Sequence, residues 1–257
     1  MKHTHKTFAY TALLAGLVLL AQGCKKSILD ENEESTLTAD NVRIKVFPYV
    51  NGYLYNPDSL YFLGGANLKI DEIEIVHSNF YFVDQGDTLP AGDPDVWKLS
   101  TGNDVYLYQL PPGSYSGFYR YLIGLNSVTN AKAPADQPEN SILRDGKLYR
   151  GSGKGYNFVV ITGRIQDPDK PNAEPNIPLK WQIATDDLTS QFGMAKSFNL
   201  VTGKSVTFDV ILQIEMLFNG LAPLATPTIS ADPANANDMQ KANALKDNFL
   251  QAYKLQL

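Results

Sequence analysis

Apolar and polar residues alternate strictly over Val42-Arg43-Ile44-Lys45-Val46-Phe47, the period of a strand with one face in a core and one in water. Asn51-Gly52 and Asn56-Pro57-Asp58 are turn signals. Leu68 to Val83 then predicts one long strand or a bent pair, with Ile73, Ile75 and His77 on one face and Phe80 and Phe82 together after the bend. Loops at Asp84–Asp87 and Pro90–Asp95 surround Trp97. Val105–Leu110 is rich in aromatic and β-branched residues and predicts a strand, broken by Pro111-Pro112-Gly113 because proline donates no ladder bond. Tyr115–Leu125 resumes as a strand, Asn126–Lys147 is a long polar loop, and Gly155-Tyr156-Asn157-Phe158 opens a strand that ends near Thr162-Gly163.

Further on, Asp167–Asn176 is a proline-rich loop, and Leu179–Ala184 and Val206–Leu217 predict strands, the second apolar on both faces and therefore central. Pro223, Pro227 and Pro233 mark an irregular crossing. Asp238 suits a helix N-cap, and behind it Ala242, Leu245, Phe249, Ala252 and Tyr253 form one helical stripe. No internal repeat is present. Short strands between turns predict an all-β chain, an antiparallel β-sandwich of Greek-key type with a C-terminal α-helix packed against it.

The first residues read as an address. Lys2 and Lys6 precede an apolar run, Ala12–Leu20, that is too short to span a bilayer. Ala21-Gln22-Gly23-Cys24 is a lipobox-like end to that run, so residues 1–23 are expected to be a lipoprotein signal peptide and Cys24 the lipidated residue. Residues 24–40 are polar and acidic, a composition that suits a flexible tether, and residues 41–257 form a single domain. The expected location is the outer membrane, with the periplasmic or surface face left open. Cys24 is the sole cysteine, so no intrachain disulfide forms. The net charge is −5 and becomes more negative once Lys2 and Lys6 are cut away, which argues against a nucleic-acid partner.

The stretch Val105–Arg164 carries a family resemblance. Its order of pieces is Pro111-Pro112-Gly113-Ser114-Tyr115, then Ile123-Gly124-Leu125-Asn126-Ser127 with Asn130, then Leu148-Tyr149 and Gly155-Tyr156. Upstream, Ile73–Asn79 is similar to an early strand ending in Ser-Asn, and Asp247–Tyr253 to a closing helix. The chain thus resembles the methanobactin-associated, MbnP-like family of β-rich periplasmic or surface proteins. The resemblance implies motif positions at Gly113, Tyr115, Gly124, Asn126, Asn130, Gly155 and Tyr156. It also implies copper held by histidines and a modified tryptophan, with a di-haem peroxidase-like companion. Here Leu148-Tyr149-Arg150 stands at the family's Met-x-Trp, and Leu179–Ile183 has no imidazole, so the scaffold is expected without the copper site, without a cofactor and without that companion.

The remaining inventory narrows the chemistry. With His3 and His5 in the leader, His77 is the one imidazole, a weak metal candidate in an apolar strand; no catalytic residue is expected. Asp167-Pro168-Asp169 and Asp93-Pro94-Asp95 offer oxygens but no EF-hand spacing. Asp186-Asp187 is a carboxylate pair without a second partner in sequence, and Gly151-Ser152-Gly153-Lys154-Gly155 lacks Walker spacing and reads as a hairpin connection. Tyr106, Tyr108, Tyr115, Tyr119 and Tyr121 alternate and could offer one sheet face to a sugar ring. The expected role is non-enzymatic: a lipid-anchored envelope protein that binds a small ligand or an envelope partner. The alternatives are metal binding as in the family, and glycan capture at the surface.

Overall fold

The computed structural model describes residues 41–256 apart from 79–80, 85–86, 91–93 and 100–103. The signal, the tether with Cys24, and Asn79, Phe80 and Asp93 lie outside the described residues. The chain begins with β1 (Val42–Val50), β2 (Tyr53–Leu54), β3 (Tyr61–Leu63), β4 (Ala66–Ser78), β5 (Tyr81–Asp84) and β6 (Asp87–Pro90). Next come β7 (Asp95–Lys98), β8 (Asp104–Tyr108), β9 (Gly113–Ile123), the one-turn helix α1 (Ser127–Asn130), β10 (Asn157–Ile165) and β11 (Ile177–Ala184). The last third holds β12 (Ser190–Met194), β13 (Phe198–Leu200), β14 (Val206–Gln213), α2 (Ile214–Leu217), β15 (Thr228–Ile229), α3 (Ala236–Ala252) and β16 (Tyr253–Gln256).

These strands form two sheets. One has the order β16-β14-β1-β2, with β8 also on β1; the other has the order β15-β11-β10-β4-β9-β5-β6, with β3 and β7 on β4 and β12 and β13 on β9. Alternation is what fixes the face each strand buries: Val42, Ile44 and Val46 are fully buried while Arg43 is exposed. The sheets meet through side chains. Phe198 of β13 lies edge-on to Phe208 of β14 at 5.0 Å, and His77 of β4 lies edge-on to Tyr253 of β16 at 6.4 Å. The architecture is therefore mostly β, sandwich-like, with a C-terminal helix, as the alternation predicts.

The pairing departs from the all-antiparallel expectation. β1 runs parallel to β14 from Val42↔Val206 to Tyr49↔Gln213, and β11 runs parallel to β15. Parallel neighbours cannot be joined by a tight turn, and all of the second sheet except β15 lies between β1 and β14 in sequence. β14 is internal, as expected, but it stops at Gln213, and Ile214–Leu217 turns into α2; its other face is half-buried, not apolar throughout.

The terminal helix also differs in detail. Asn235, not Asp238, is its N-cap: the Asn235 side-chain oxygen accepts the Asp238 N–H at 3.1 Å. The Asp238 carboxylate instead accepts from Ser230 N–H, the Ser230 hydroxyl and Asp232 N–H, the last at 2.7 Å. Burial alone would raise this carboxyl's pKa, but those hydrogen bonds prevail and lower it. Ala242, Leu245, Phe249 and Ala252 are buried as the stripe predicts, while Tyr253 leaves the helix and starts β16 on the edge of β14. Asn248 completes the packing by donating to the Leu217 and Asn219 carbonyls at 3.0 and 2.8 Å.

Phe249→Ala should leave a cavity under α3 and lower unfolding free energy by about 3–5 kcal/mol. Urea unfolding followed by circular dichroism reads this directly, and a loss within error of zero would show that α3 does not close the core.

Candidate functional site

A cleft of about 620 Å³ opens where four loops meet: α1, the Arg150–Gly155 hairpin, the turn after β11, and the segment between β15 and α3. α1 is capped by Asn126, whose side-chain oxygen accepts the Thr129 N–H at 2.9 Å. The glycine-rich stretch is a hairpin, as expected, with Arg150 N–H bonded to the Gly155 carbonyl at 2.8 Å and Tyr149 bridged to Tyr156.

Asn130 binds these pieces together. It is buried, its carbonyl oxygen accepts the Tyr156 N–H at 2.8 Å, and its amide donates to Asp186 at 2.8 Å. Gly155 lies directly against that side chain with φ +64°, and a Cβ there would collide with the carboxamide. Tyr156 is buried, with Gln137 donating to its hydroxyl at 3.2 Å. Gly124, at φ +105°, donates to the Val76 carbonyl, and a Cβ there would come within 2.6 Å of Phe158. Of the motif positions, Asn130 and Gly155 line the cleft, Asn126 caps α1 and Tyr156 bonds to Asn130, while Gly124 packs against Phe158.

Gly113 and Tyr115 sit elsewhere, at a corner. Tyr115 is buried, donates its hydroxyl to the Pro111 carbonyl at 2.6 Å and stacks on Phe198 at 5.0 Å. The five alternating tyrosines do not share one sheet. Tyr106 and Tyr108 are in β8, opposite Ile44 and Val42 of the first sheet, while Tyr115, Tyr119 and Tyr121 are in β9 of the second. The Pro111-Pro112-Gly113 turn carries the chain from one sheet to the other, so sequence alternation is not continuous in space.

Two walls of the cleft carry backbone strain. Thr185 has φ +78° and ψ 147°, and Ala231 has φ +49°. A β-branched residue at such a φ costs on the order of 1–3 kcal/mol and persists only where its surroundings over-determine it. The Thr185 hydroxyl is also buried without a hydrogen-bond partner among the described residues. Arg150 donates to the Ser230 carbonyl at 2.8 Å and to that of Ala231 at 3.4 Å. Burial lowers its pKa, opposed by Asp232 and Asp238. Asp186, Asp187, Asp232 and Lys154 are exposed on the remaining walls. Sequence reasoning noted Asp186, Asp187 and Lys154 without bringing them together, and missed Arg150, Thr185 and Asp232; no local pattern marks them, because only the fold joins their loops.

His77 lies far inside, 2 % exposed, with its ring 3.9 Å from that of Trp97. Burial pushes its pKa down to about 3, so it is neutral in the folded protein. Neighbouring Asp95 is raised by burial, with hydrogen bonds from Val96 N–H and the Trp97 side chain pulling the other way. Trp181 is buried and donates to the Thr226 carbonyl at 2.8 Å. Among the described residues no group of three or more His, Cys, Asp or Glu is placed to hold a metal ion, and no helix is long and apolar enough to cross a membrane. The Asp167 carboxylate accepts the Asp169 N–H at 3.0 Å, an ordinary turn contact.

No protein-family model matches the chain, and no curated protein sequence matches it. Among solved structures, MbnP from Methylosinus trichosporium is similar at 14% identity and a TM-score of 0.48, over 71% of this chain and 78% of that one. A likeness of that grade is a distant structural one and carries no site residue, ligand or partner across.

Two variants probe the site's construction. Gly155→Ala should destabilise by about 1–3 kcal/mol or more, since the methyl meets Asn130 at a positive φ; an unchanged urea midpoint would refute the tight approach. His77 binds a proton in the unfolded chain below its ordinary 6.5 but not in the folded one until about pH 3. Its contribution is therefore complete above pH 6.5 and is lost as pH falls toward 3, by roughly 1.4 kcal/mol per pH unit. His77→Leu should flatten that part of the stability–pH curve, and an identical slope in both proteins would show that His77 does not titrate this way.

Proposed function

We propose that this chain is a non-enzymatic binding protein of the cell envelope, anchored through lipid on Cys24 to the outer membrane. Its scaffold is akin to the MbnP-like proteins, with the ordered motif residues in structural roles and without a copper site. The observation that carries the reading is the cleft: a polar recess of about 620 Å³, within the size range of small-ligand sites, bounded by strained residues on a rigid β framework. The one imidazole, His77, is buried in the core beside Trp97 and does not line the cleft. A copper site of several imidazoles does not fit one chain either, since His77 is the one histidine after the expected leader.

Cys24→Ala should move the protein from the detergent phase to the aqueous phase on cell fractionation, whereas the native protein stays with the membrane. Protein purified from the detergent phase should hold no stoichiometric copper after mild dialysis. A variant that remains membrane-bound sinks the anchor, and one tightly held copper per chain, lost in His77→Leu, restores the metal reading.

A further inference from the structure

The cleft carries charges of both signs. Arg150 and Lys154 stand on the hairpin, Asp186 and Asp187 on the turn after β11, and Asp232 on the segment before α3. Among the described residues none of these five is within ion-pair distance of an opposite charge. Three of them are fixed where they are. Arg150 is tied through one guanidinium nitrogen to the Ser230 and Ala231 carbonyls, Asp186 accepts from Asn130, and Asp232 accepts the Ala234 N–H at 3.0 Å.

Such a lining selects by charge. Three carboxylates against two cations disfavour a polyphosphate. Among the described residues the lining includes no aromatic face on which a neutral sugar would stack, and the carboxylates are not grouped to chelate a bare cation. A ligand with a cationic and an anionic end separated by a polar body answers both sets of walls at once. The remaining guanidinium N–H groups of Arg150 suit a carboxylate, which accepts two parallel bonds. The volume exceeds what one free amino acid fills and falls within the range of clefts that bury larger ligands.

We propose that the cleft binds short peptides by both free termini. The α-ammonium group faces Asp186 and Asp187, and the α-carboxylate faces Arg150 and Lys154. This assignment rests on the binding role proposed above and names its ligand class.

Full-length protein extracted in detergent, titrated calorimetrically with trialanine, provides the test. Saturable binding is expected, weakened roughly tenfold or more when either terminus is blocked, as in N-acetyl-trialanine or trialanine amide. Asp187→Asn and Lys154→Gln should each weaken trialanine by a similar factor with an unchanged melting temperature, because neither side chain makes a hydrogen bond among the described residues. Equal binding of the blocked peptides, or no saturable binding of trialanine, overturns the peptide assignment. Maltose in the same titration separates the two failures. Maltose binding that Asp187→Asn abolishes would leave the cleft a binding site with the wrong ligand class, whereas silence toward both ligands would count against the binding role as well.

Discussion

Asn130 spans three segments that lie far apart in sequence, with its carboxamide oxygen on Tyr156 N–H and its nitrogen on Asp186. A buried amide has both a donor and an acceptor to satisfy, and leaving either unmade costs about 1–3 kcal/mol. That requirement fixes the distance between α1, the Gly151–Gly155 hairpin and the turn after β11 more tightly than apolar packing could, because hydrogen bonds are directional. Gly155 follows from it: only a residue without a Cβ lets the hairpin come close enough for Tyr156 to reach the amide. The cleft is the space left above this joint.

A second constraint acts on assembly. The first sheet needs β14 beside β1 in parallel, so its central pair joins the two ends of the domain. β16 then pairs with the far edge of β14, and Tyr253 reaches back over His77. Contacts this distant in sequence carry a large loop-closure entropy that is offset only when both sheets are in place. The helix α3 is the link that delivers β16, which explains why its buried face carries Leu245 and Phe249 and why Asn248 spends its amide on the end of α2.

Much of the β framework was legible because its alternation is local. Val42–Phe47, the bent pair around His77 and the helical stripe from Ala242 to Ala252 each advertise one buried face within a single turn or strand length. What could not be read depends on partners. The parallel register of β1 and β14 has no sequence mark, since parallel and antiparallel neighbours use the same alternation. β16 is only four residues long, and Tyr253 fits the helical period as well as the strand one. Asp238 resembles a cap by type, yet Asn235 stands three residues earlier and takes the N–H first. Of the site, the ordered motif pointed at Asn130, Gly155 and Tyr156, while Arg150, Thr185 and Asp232 became visible only when the loops converged.

Thr185 shows why that convergence matters energetically. Its φ belongs to a region that glycine occupies readily and a β-branched residue avoids, and nothing in Ala184-Thr185-Asp186 hints at it. The conformation holds because both flanks are pinned: Ala184 is buried at the end of β11, and Asp186 is caught by Asn130. Ala231 is held in the same manner, between Ser230 and Asp232, whose N–H groups both bond to the Asp238 carboxylate. Each strained residue is therefore flanked by a carboxylate that also lines or braces the cleft. Relaxing either backbone would swing Asp186 or Asp232 away from its present wall, so the strain and the charge arrangement are one feature of the fold, held in place by Asn130 on one side and Asp238 on the other.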